Sequence, residues 1–263
     1  MTDDLQFALQ LADVADAITL RGFTDRTFGV HSKEDSSDVT DIDRAAETAL
    51  RELVISARPD HGFYGEEHDR VNPTANVQWV VDPIDGTSNF VRGVPVWATL
   101  IAVVTDDQPT IGVVSAPALG RRWWAEMGCG AFANGSPISV STVNELEGAH
   151  ISVTHSQGWV DLGLTPRLVE LQAIAHRSRG FGDFWQHMLV AEGALDVAID
   201  AIGLQPYDNA ALYPIITEAG GTITDRHGAA AWTSNSQVST NSILHDRIIV
   251  LLSTANESTR GTS

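Results

Sequence analysis

The spacing of apolar residues predicts two helices in the first sixty residues. A 3.6-residue period starts at Leu5, and Gly22 marks the expected end of the first helix. A second helix is expected to begin after Thr40, which suits the N-cap position, and to end before Pro59. The polar residues 32–38 between them are expected to form a loop.

Short apolar runs then predict a series of strands. Residues 78–81 are largely apolar and lead into Asp82-Pro83, where a proline without an N–H donor is expected to end the strand. Residues 100–104 and 111–115 are rich in β-branched side chains and predict a hairpin. Residues 122–125 are expected to pair next, and residues 128–135 to form turns around one short strand.

The second half of the chain alternates between strand and helix patterns. This alternation, after a run of consecutive strands, predicts an α/β fold of layered sheets and helices. A boundary near residue 145 would divide it into an N-terminal lobe (1–145), a C-terminal α/β lobe (146–255) and a frayed tail (256–263). Strands are expected at residues 151–153, 195–199 and 222–224, and helices at residues 165–175, 184–192, 208–219 and 241–252.

Composition narrows the classes of partner. The net charge of −18 has the wrong sign for nucleic acid and for an anionic membrane, so we expect neither as a partner. A small phosphorylated metabolite would also be repelled unless bound cations reversed the local sign. The single cysteine excludes an intrachain disulfide, and no signal peptide or apolar run of membrane-spanning length is recognisable. We therefore expect a cytoplasmic protein.

An acidic turn carries the first candidate chemistry. In Asp82-Pro83-Ile84-Asp85-Gly86-Thr87, two carboxylates three residues apart, with a carbonyl between them, are able to turn toward one point. Such oxygen ligands suit a hard divalent cation, and Mg²⁺ favours carboxylates together with water and substrate phosphate. The same residue types also form ordinary acidic turns after strands, so the spacing alone leaves both interpretations open.

Three further acidic residues bear on that choice. Glu66 precedes the predicted strand by a short loop and is able to fold back beside Asp82. Asp208 stands at the start of a predicted helix, where helix N-cap is an equally good interpretation. Asp43 lies three residues after Thr40, the position of the acidic member of a capping box. Each residue alone is a weak indication of a metal site.

Two separated stretches carry a family resemblance. One is Gly65-Glu66-Glu67 followed by Trp79-Val80-Val81-Asp82-Pro83-Ile84-Asp85-Gly86-Thr87-Ser88-Asn89-Phe90, and the other runs from Tyr207-Asp208 to Glu218-Ala219-Gly220-Gly221. With Val39-Thr40-Asp41-Ile42-Asp43 and Gly130-Ala131-Phe132-Ala133-Asn134-Gly135, they make nearly the whole chain similar to the inositol monophosphatase family. These are magnesium-dependent, lithium-sensitive phosphatases. The fold that the resemblance implies is an α/β/α/β/α sandwich, usually a homodimer.

The resemblance also implies a role for each matching residue. Two or three Mg²⁺ ions, with Mn²⁺ as an alternative, would be held near the acidic turn. The metal ligands would be Glu66, Asp82, Asp85, Asp208 and the Ile84 carbonyl, with Asp43 supporting a more loosely held ion. Glu66 and Thr87 would position and help deprotonate the attacking water, and the main chain of Gly86 and Thr87 would hold the phosphate.

Several segments outside these signatures are similar to the histidinol-phosphate phosphatases of the same superfamily. Among them are Arg179-Gly180-Phe181-Gly182-Asp183-Phe184 and Leu204-Gln205-Pro206-Tyr207-Asp208. A histidinol substrate carries an amine and an imidazole, which Asp183, Asp200 or Glu192 would pair with. Asp183 is the leading candidate, although an N-cap role for it is equally open, and His187 is interpreted as an ordinary packed or surface histidine.

Other functions remain open at this stage. Inositol phosphate, a sugar phosphate or a 3′-phosphonucleotide would be hydrolysed by the same mechanism, and a catalytically inactive metal-binding relative belongs to a different class. The complete acidic set argues against an inactive relative. The segment Lys33-Glu34-Asp35-Ser36-Ser37-Asp38 departs from the usual family sequence, and the stretch from Asp200 to Asp208 is about one residue longer than in relatives.

Overall fold

Two long helices open the chain, as the apolar spacing predicts. A computed structural model describes residues 1–32, 38–154 and 156–253. Helix α1 (Asp3–Asp25) continues past Gly22, so the predicted end is wrong; the chain leaves the helix at Arg26, whose φ is 56° and whose N–H donates to the Gly22 carbonyl. Helix α2 (Asp41–Ala57) begins as predicted, with a capping box between Thr40 and Asp43.

A short antiparallel ribbon lies between these helices. Strand β1 (Val30–Ser32) pairs with β2 (Asp38–Thr40), so both ends of the predicted loop belong to strands. Residues 33–37, which contain most of the atypical acidic segment, lie outside the described residues. The ribbon leads directly into the capping box of α2.

A seven-stranded sheet forms the first β layer. Strands β4 to β9 follow one another antiparallel, and β3 pairs parallel to β4 at the edge. The predicted hairpin is confirmed as β5 and β6, with its turn at Asp106 and Asp107. The bounds are β3 (Gly62–Gly65), β4 (Val77–Asp85), β5 (Ala98–Thr105), β6 (Gln108–Ala116), β7 (Arg121–Glu126), β8 (Ala131–Ala133) and β9 (Ser136–Pro137).

Strand β4 does not end at Pro83, contrary to the prediction. The pairing with β5 shifts register between Asp82 and Asp85, so the irregularity accommodates a residue that has no N–H to donate. The strand therefore carries both aspartates to its end. Helix α3 (Thr87–Arg92) follows at once, after Gly86.

A five-stranded mixed sheet forms the second β layer, in the order β11-β10-β12-β14-β13. Strands β11 and β14 were not predicted, because both are short and lack a strong apolar pattern. The predicted helix over 208–219 is two helices, and the predicted helix over 241–252 begins four residues later. The bounds are β10 (His150–Val153), α4 (Gly158–Asp161), α5 (Thr165–Ile174), β11 (Arg177–Arg179), α6 (Asp183–Ala191), β12 (Val197–Asp200), α7 (Pro206–Asn209), α8 (Leu212–Glu218), β13 (Thr222–Thr224), β14 (Gln237–Thr240) and α9 (His245–Ser253).

The apolar cores stack these elements into the expected α/β/α/β/α sandwich. Side chains alternate across β4, so Trp79 and Val81 pack under α1 and α2, while Val80 faces α6 and α8. Helices α4, α5 and α9 pack with the second sheet in a separate core. Helix α8 approaches β6 so closely that a Cβ on Gly112 would lie 2.0 Å from the Ala211 carbonyl oxygen.

The two sheets occupy consecutive parts of the sequence. The large sheet ends at Pro137 and the second sheet begins at His150. The division into lobes at residue 145 stays a prediction, and the tail over 256–263 lies outside the described residues. No helix in the described part of the chain has the length and apolar character needed to cross a membrane.

Candidate metal centre and substrate cavity

Three aspartates converge where β4 ends and α7 begins. One carboxylate oxygen from each of Asp82, Asp85 and Asp208 lies within 4.8 Å of the others. Asp82 is only 2% exposed. The sequence therefore brings together residues that are more than a hundred positions apart, as the predicted metal site requires.

The concentrated negative charge of this cluster suits a bound cation. Burial raises the pKa of Asp82 and of Asp85 well above the usual value, and neighbouring carboxylates add to each shift. Burial also raises the pKa of Asp208 to about 6. A set of hard oxygen donors whose negative charges repel one another, with no lysine or arginine among the residues lining the adjacent cavity, fits a divalent cation.

Main-chain hydrogen bonds fix the orientation of each carboxylate. Asp82 Oδ1 accepts from its own turn, the N–H of Ile84, at 2.9 Å. Asp85 Oδ2 accepts from the N–H of Phe184 at 2.6 Å, which ties the end of β4 to the start of α6. Asp208 Oδ2 accepts from the N–H of Gln205 at 2.7 Å. Each bond uses one carboxylate oxygen and leaves the other for a ligand.

Asp208 is not the helix N-cap that its local sequence also allows. Gln205 is the N-cap of α7, and Asp208 occupies the third helical position, where it completes a capping box. Tyr207, the preceding residue, packs edge-on against Tyr64 with ring centroids 6.0 Å apart. Burial and the nearby carboxylates raise the pKa of the Tyr207 hydroxyl, so it stays protonated beside the cluster.

Glu66 reaches the cluster because β3 runs parallel to β4. Gly65 pairs with Val81, so Glu66 follows the end of β3 alongside Asp82, while β4 continues to Asp85. The charge of Glu66 contributes to the raised pKa of Asp82, after burial, the largest cause. Sequence reasoning missed the residue that holds this turn: Glu47 of α2, fully buried, accepts from the N–H groups of Glu67 at 2.7 Å and His68 at 2.9 Å.

A hydroxyl and a buried carboxylate lie beside the acidic turn. Thr87 Oγ1 is 2.9 Å from the Ile84 carbonyl oxygen and 3.2 Å from Asp43 Oδ1, so its single proton goes to one acceptor or the other. Asp43 Oδ2 accepts from the N–H of Thr40 at 2.9 Å, and burial raises the pKa of Asp43. The capping-box interpretation of Asp43 is confirmed, and its other oxygen faces Thr87.

Gly86 is required by its conformation and by its surroundings. Its φ is 86°, a region that L side chains rarely adopt. A Cβ would also lie 3.1 Å from the Val96 carbonyl oxygen and 3.3 Å from Asp183 Oδ2. The turn before α3 therefore leaves its main chain bare beside the cluster. The first N–H groups of α3 have no intrahelical acceptor.

Asp183 lies close to this turn, as the sequence resemblance predicts. It is the first residue of α6, whose N-cap is Gly182, so the alternative N-cap interpretation of Asp183 is wrong. Its φ is 49°, and its Oδ2 accepts from Asn89 Nδ2 at 3.1 Å. Burial and the charge of Asp200 raise the pKa of Asp183 to about 6, against a lowering by His187.

A cavity of about 220 Å³ opens between these residues and the second sheet. Its walls include Asp85, Asp183, Asp200 and Asp208, together with His187. The interpretation of His187 as a packed histidine is confirmed by its burial, but it did not include a position on the cavity wall. Its placement one helical turn after Asp183 is the signal that was available.

Glu192 is not brought to this cavity. It follows α6 at the C-cap, nine positions after Asp183, which corresponds to roughly 13 Å along a helix. There its carboxylate accepts from the Arg121 guanidinium and from the Trp123 indole N–H. The structure therefore places the Glu192 carboxylate at the far end of α6 and not on the wall of this cavity, so it gives no support to a substrate contact by Glu192.

Comparison with known proteins identifies the family. The sequence profile of the inositol monophosphatase family matches residues 1–257. The chain is 46% identical over 255 residues to a histidinol-phosphatase of Mycobacterium tuberculosis, covering 95% of this chain and 98% of that protein. It is 43% identical over 256 residues to a histidinol-phosphatase of Streptomyces coelicolor, covering 94% and 96%. It is 33% identical over 226 residues to a Thermotoga maritima fructose-1,6-bisphosphatase/inositol-1-monophosphatase, covering 85% of each chain.

Solved structures agree with the sequence comparison. The extragenic suppressor protein suhB of Bartonella henselae superposes with a TM-score of 0.89 at 27% identity, covering 96% of this chain and 99% of that one. An IMPase of Thermotoga maritima gives a TM-score of 0.87 at 29% identity, covering 97% and 98%. The chain belongs to the inositol monophosphatase family and is a phosphatase, a hydrolase of phosphoric monoesters.

Proposed function

We propose that the protein hydrolyses histidinol phosphate to histidinol and inorganic phosphate in a Mg²⁺-dependent reaction, a step of histidine biosynthesis. The observation that carries this choice is the higher identity to histidinol-phosphatases than to the fructose-1,6-bisphosphatase/inositol-1-monophosphatase of T. maritima. The acidic cavity beside the metal centre supports it, because a histidinol leaving group carries a primary amine and an imidazole.

The metal ligands in this proposal are Glu66, Asp82, Asp85, Asp208 and the Ile84 carbonyl, holding two or three ions. Buried carboxylates with raised pKa values, and a cavity lining without lysine or arginine in the described part of the chain, support this assignment. Mg²⁺ when bound supplies positive charge that offsets the phosphate charge and makes water more acidic. Mn²⁺ accepts similar oxygen ligands and is the alternative ion.

The remaining groups position water and phosphate. Thr87 Oγ1, 3.2 Å from Asp43 Oδ1, is placed to accept a hydrogen bond from water while its own hydroxyl donates a hydrogen bond to that carboxylate. Glu66 orients the same water from the end of β3. The exposed main chain of Gly86 and the first N–H of α3, at Thr87, donate to the phosphate oxygens. No side-chain nucleophile is needed in this route.

The leaving alcohol occupies the cavity beside α6. Asp183 and Asp200, both on its wall, accept hydrogen bonds from the cationic groups of histidinol. A neutral polyol such as inositol offers hydroxyl groups instead and gains less from two carboxylates. We further propose that the protein acts as a homodimer in the cytoplasm, with no nucleic-acid or membrane partner, as its net charge of −18 favours.

The test is phosphate release from histidinol phosphate, inositol 1-phosphate and fructose 1,6-bisphosphate, each with Mg²⁺ and with EDTA. We expect the highest kcat/KM for histidinol phosphate, and none of the three activities in EDTA. A preference for either other substrate would overturn the assignment in favour of a sugar-phosphate or inositol-phosphate phosphatase. No release from any substrate would favour a catalytically inactive metal-binding relative.

A variant tests the metal role separately. Asp82→Asn keeps the side-chain shape and its acceptor for the Ile84 N–H, which is 2.9 Å away, but removes a charge from the cluster. We expect kcat to fall more than about a hundredfold, because replacing a metal ligand should cost more than replacing a residue that only hydrogen-bonds to a ligand. The circular dichroism spectrum should be unchanged. Near-normal kcat in this variant would refute the ligand assignment of Asp82.

A further inference from the structure

His187 is a buried titratable side chain that the proposed reaction does not use. Its side chain is 2% exposed and lies on the wall of the substrate cavity. It sits on α6, one turn after Asp183, and points between β12 and β14. A histidine in the middle of this packed layer needs a partner for each ring nitrogen.

Both ring nitrogens have such partners. Nε2 lies 2.7 Å from Asp200 Oδ2, and Nδ1 lies 2.8 Å from the Ser239 hydroxyl. A carboxylate oxygen accepts hydrogen bonds, so His187 donates from Nε2 to Asp200 Oδ2. The Ser239 hydroxyl of β14 pairs with Nδ1 and fixes the plane of the ring.

The two carboxylate oxygens of Asp200 differ in their hydrogen bonds. Oδ2 accepts from His187 Nε2 and also from Gln186 Nε2, each at 2.7 Å. Gln186 is held in turn, because its Oε1 accepts from Ser152 Oγ at 2.7 Å. Within the described residues, Oδ1 of Asp200 has no hydrogen-bond donor. One oxygen is therefore anchored in the protein, and the other remains for whatever enters the cavity.

We propose that His187 is a positioning residue for substrate selectivity. By holding Oδ2 of Asp200, it directs Oδ1 toward a cationic nitrogen of the leaving alcohol. Hydrogen bonds between a charged donor and a carboxylate are strong only when the geometry is fixed, so the selectivity for a cationic alcohol depends on this anchoring. The inference rests on the proposed function and assigns part of its selectivity to a residue that does not touch the phosphate.

The experiment compares wild type, His187→Phe and His187→Gln on two substrates. Histidinol phosphate carries the cationic groups, and β-glycerophosphate does not. Phenylalanine keeps the ring shape without a donor, whereas glutamine places an N–H near the position of Nε2. We expect His187→Phe to raise KM for histidinol phosphate about tenfold, equivalent to about 1.4 kcal/mol, with kcat and the β-glycerophosphate KM within about twofold of wild type.

The glutamine variant shows whether His187 acts by positioning Asp200 or only by filling space in the core. His187→Gln is expected to recover most of the KM for histidinol phosphate. Ser239→Ala, which removes the hydrogen-bond partner of Nδ1, is expected to raise the same KM by a smaller factor, and it serves as the second variant if His187→Phe does not fold. Circular dichroism and thermal melting check that each variant is folded.

The outcomes are distinguishable from failure of the proposed function. If wild type does not hydrolyse histidinol phosphate, both the proposed function and this role of His187 are overturned. If wild type prefers histidinol phosphate but His187→Phe and Ser239→Ala keep that preference, the role of His187 alone is overturned. An equal rise in both KM values, without rescue by glutamine, would assign His187 to packing rather than selectivity.

Discussion

Replacing Asp208 by asparagine tests the electrostatics of the metal centre directly. Burial raises the pKa of Asp208 from 3.8 to about 6, so the folded protein holds this proton more tightly than the unfolded chain. At about 1.4 kcal/mol per pKa unit, keeping this group ionised above pH 7 costs the metal-free fold about 3 kcal/mol. Asparagine removes that cost while keeping an acceptor for the Gln205 N–H at 2.7 Å.

The expected result is a reversal of stability between two conditions. In EDTA at pH 7.5, we expect Asp208→Asn to be about 3 kcal/mol more stable than wild type, which raises Tm by about 6–12 °C for a chain of this size. With Mg²⁺ at a thousand times its Kd, wild type gains about 4.1 kcal/mol, and the variant, having lost a proposed ligand, gains little. The variant should therefore be the more stable protein without metal and the less stable one with it.

Calorimetry and urea unfolding with EDTA or Mg²⁺ measure both differences. Because the folded-state pKa is raised, the contribution of Asp208 to stability declines as pH rises from 3.8 to about 6, so the advantage of the variant in EDTA should vanish near pH 4. Asp225→Asn is the matched control: Asp225 is 9% exposed and accepts from main-chain N–H groups outside the cluster. It should keep the Mg²⁺ gain. A lower Tm for Asp208→Asn in EDTA, or a Mg²⁺ gain equal to that of wild type, would refute the reasoning.

Three further substitutions test how the fold supports the site. Glu47→Ala removes a buried carboxylate that accepts from two N–H groups after Glu66, so urea unfolding should show a loss of about 2–4 kcal/mol. A loss below about 1 kcal/mol would contradict this role. Gly86→Ala places a Cβ 3.1 Å from the Val96 carbonyl oxygen, on a residue whose φ of 86° strains an L side chain. We expect kcat/KM to fall at least about tenfold. A variant with wild-type kcat/KM would show that the turn tolerates a side chain. Gly112→Ala places a Cβ 2.0 Å from the Ala211 carbonyl oxygen, so Tm should drop by about 5 °C or more, and an unchanged Tm would mean that α8 moves freely.

The sequence predicted correctly those structural features that depend on residues close together in the chain. The capping box at Thr40 and the β5–β6 hairpin follow from residues a few positions apart, and both are confirmed. The end of β4 was wrongly predicted because a proline was given more weight than the sheet around it. Pairing with β5 carries the strand past Pro83 through a shift in register, and no sequence rule for proline contains that information.

The candidate site residues also divide into those with a local sequence signal and those that depend on distant partners. The spacing of Asp82 and Asp85 left an ordinary acidic turn open, and the family resemblance favoured the metal interpretation and added Asp208 and Glu66, because these residues stand in short motifs. Glu47 and His187 were not recognisable in this way, since each acts through a partner more than ten positions away: the turn after Glu66 for one, and β12 and β14 for the other. Glu192 was proposed as a substrate contact because an acidic side chain suits a cationic substrate. Its ion pair with Arg121, which is distant in sequence, could not be predicted from the local pattern.

Helix α6 contacts both the aspartate cluster and the wall of the cavity. Its first turn donates the Phe184 N–H to Asp85 and places Asp183 against Asn89 of α3. Its second turn carries Gln186 and His187, which anchor Asp200. Under the proposed function, changes in this one helix and in the strand end that it contacts would alter the fit of the leaving alcohol while Asp82 and Asp208 stay in place. It follows that exchanges within α6 should alter KM among alcohols more readily than they alter the requirement for metal.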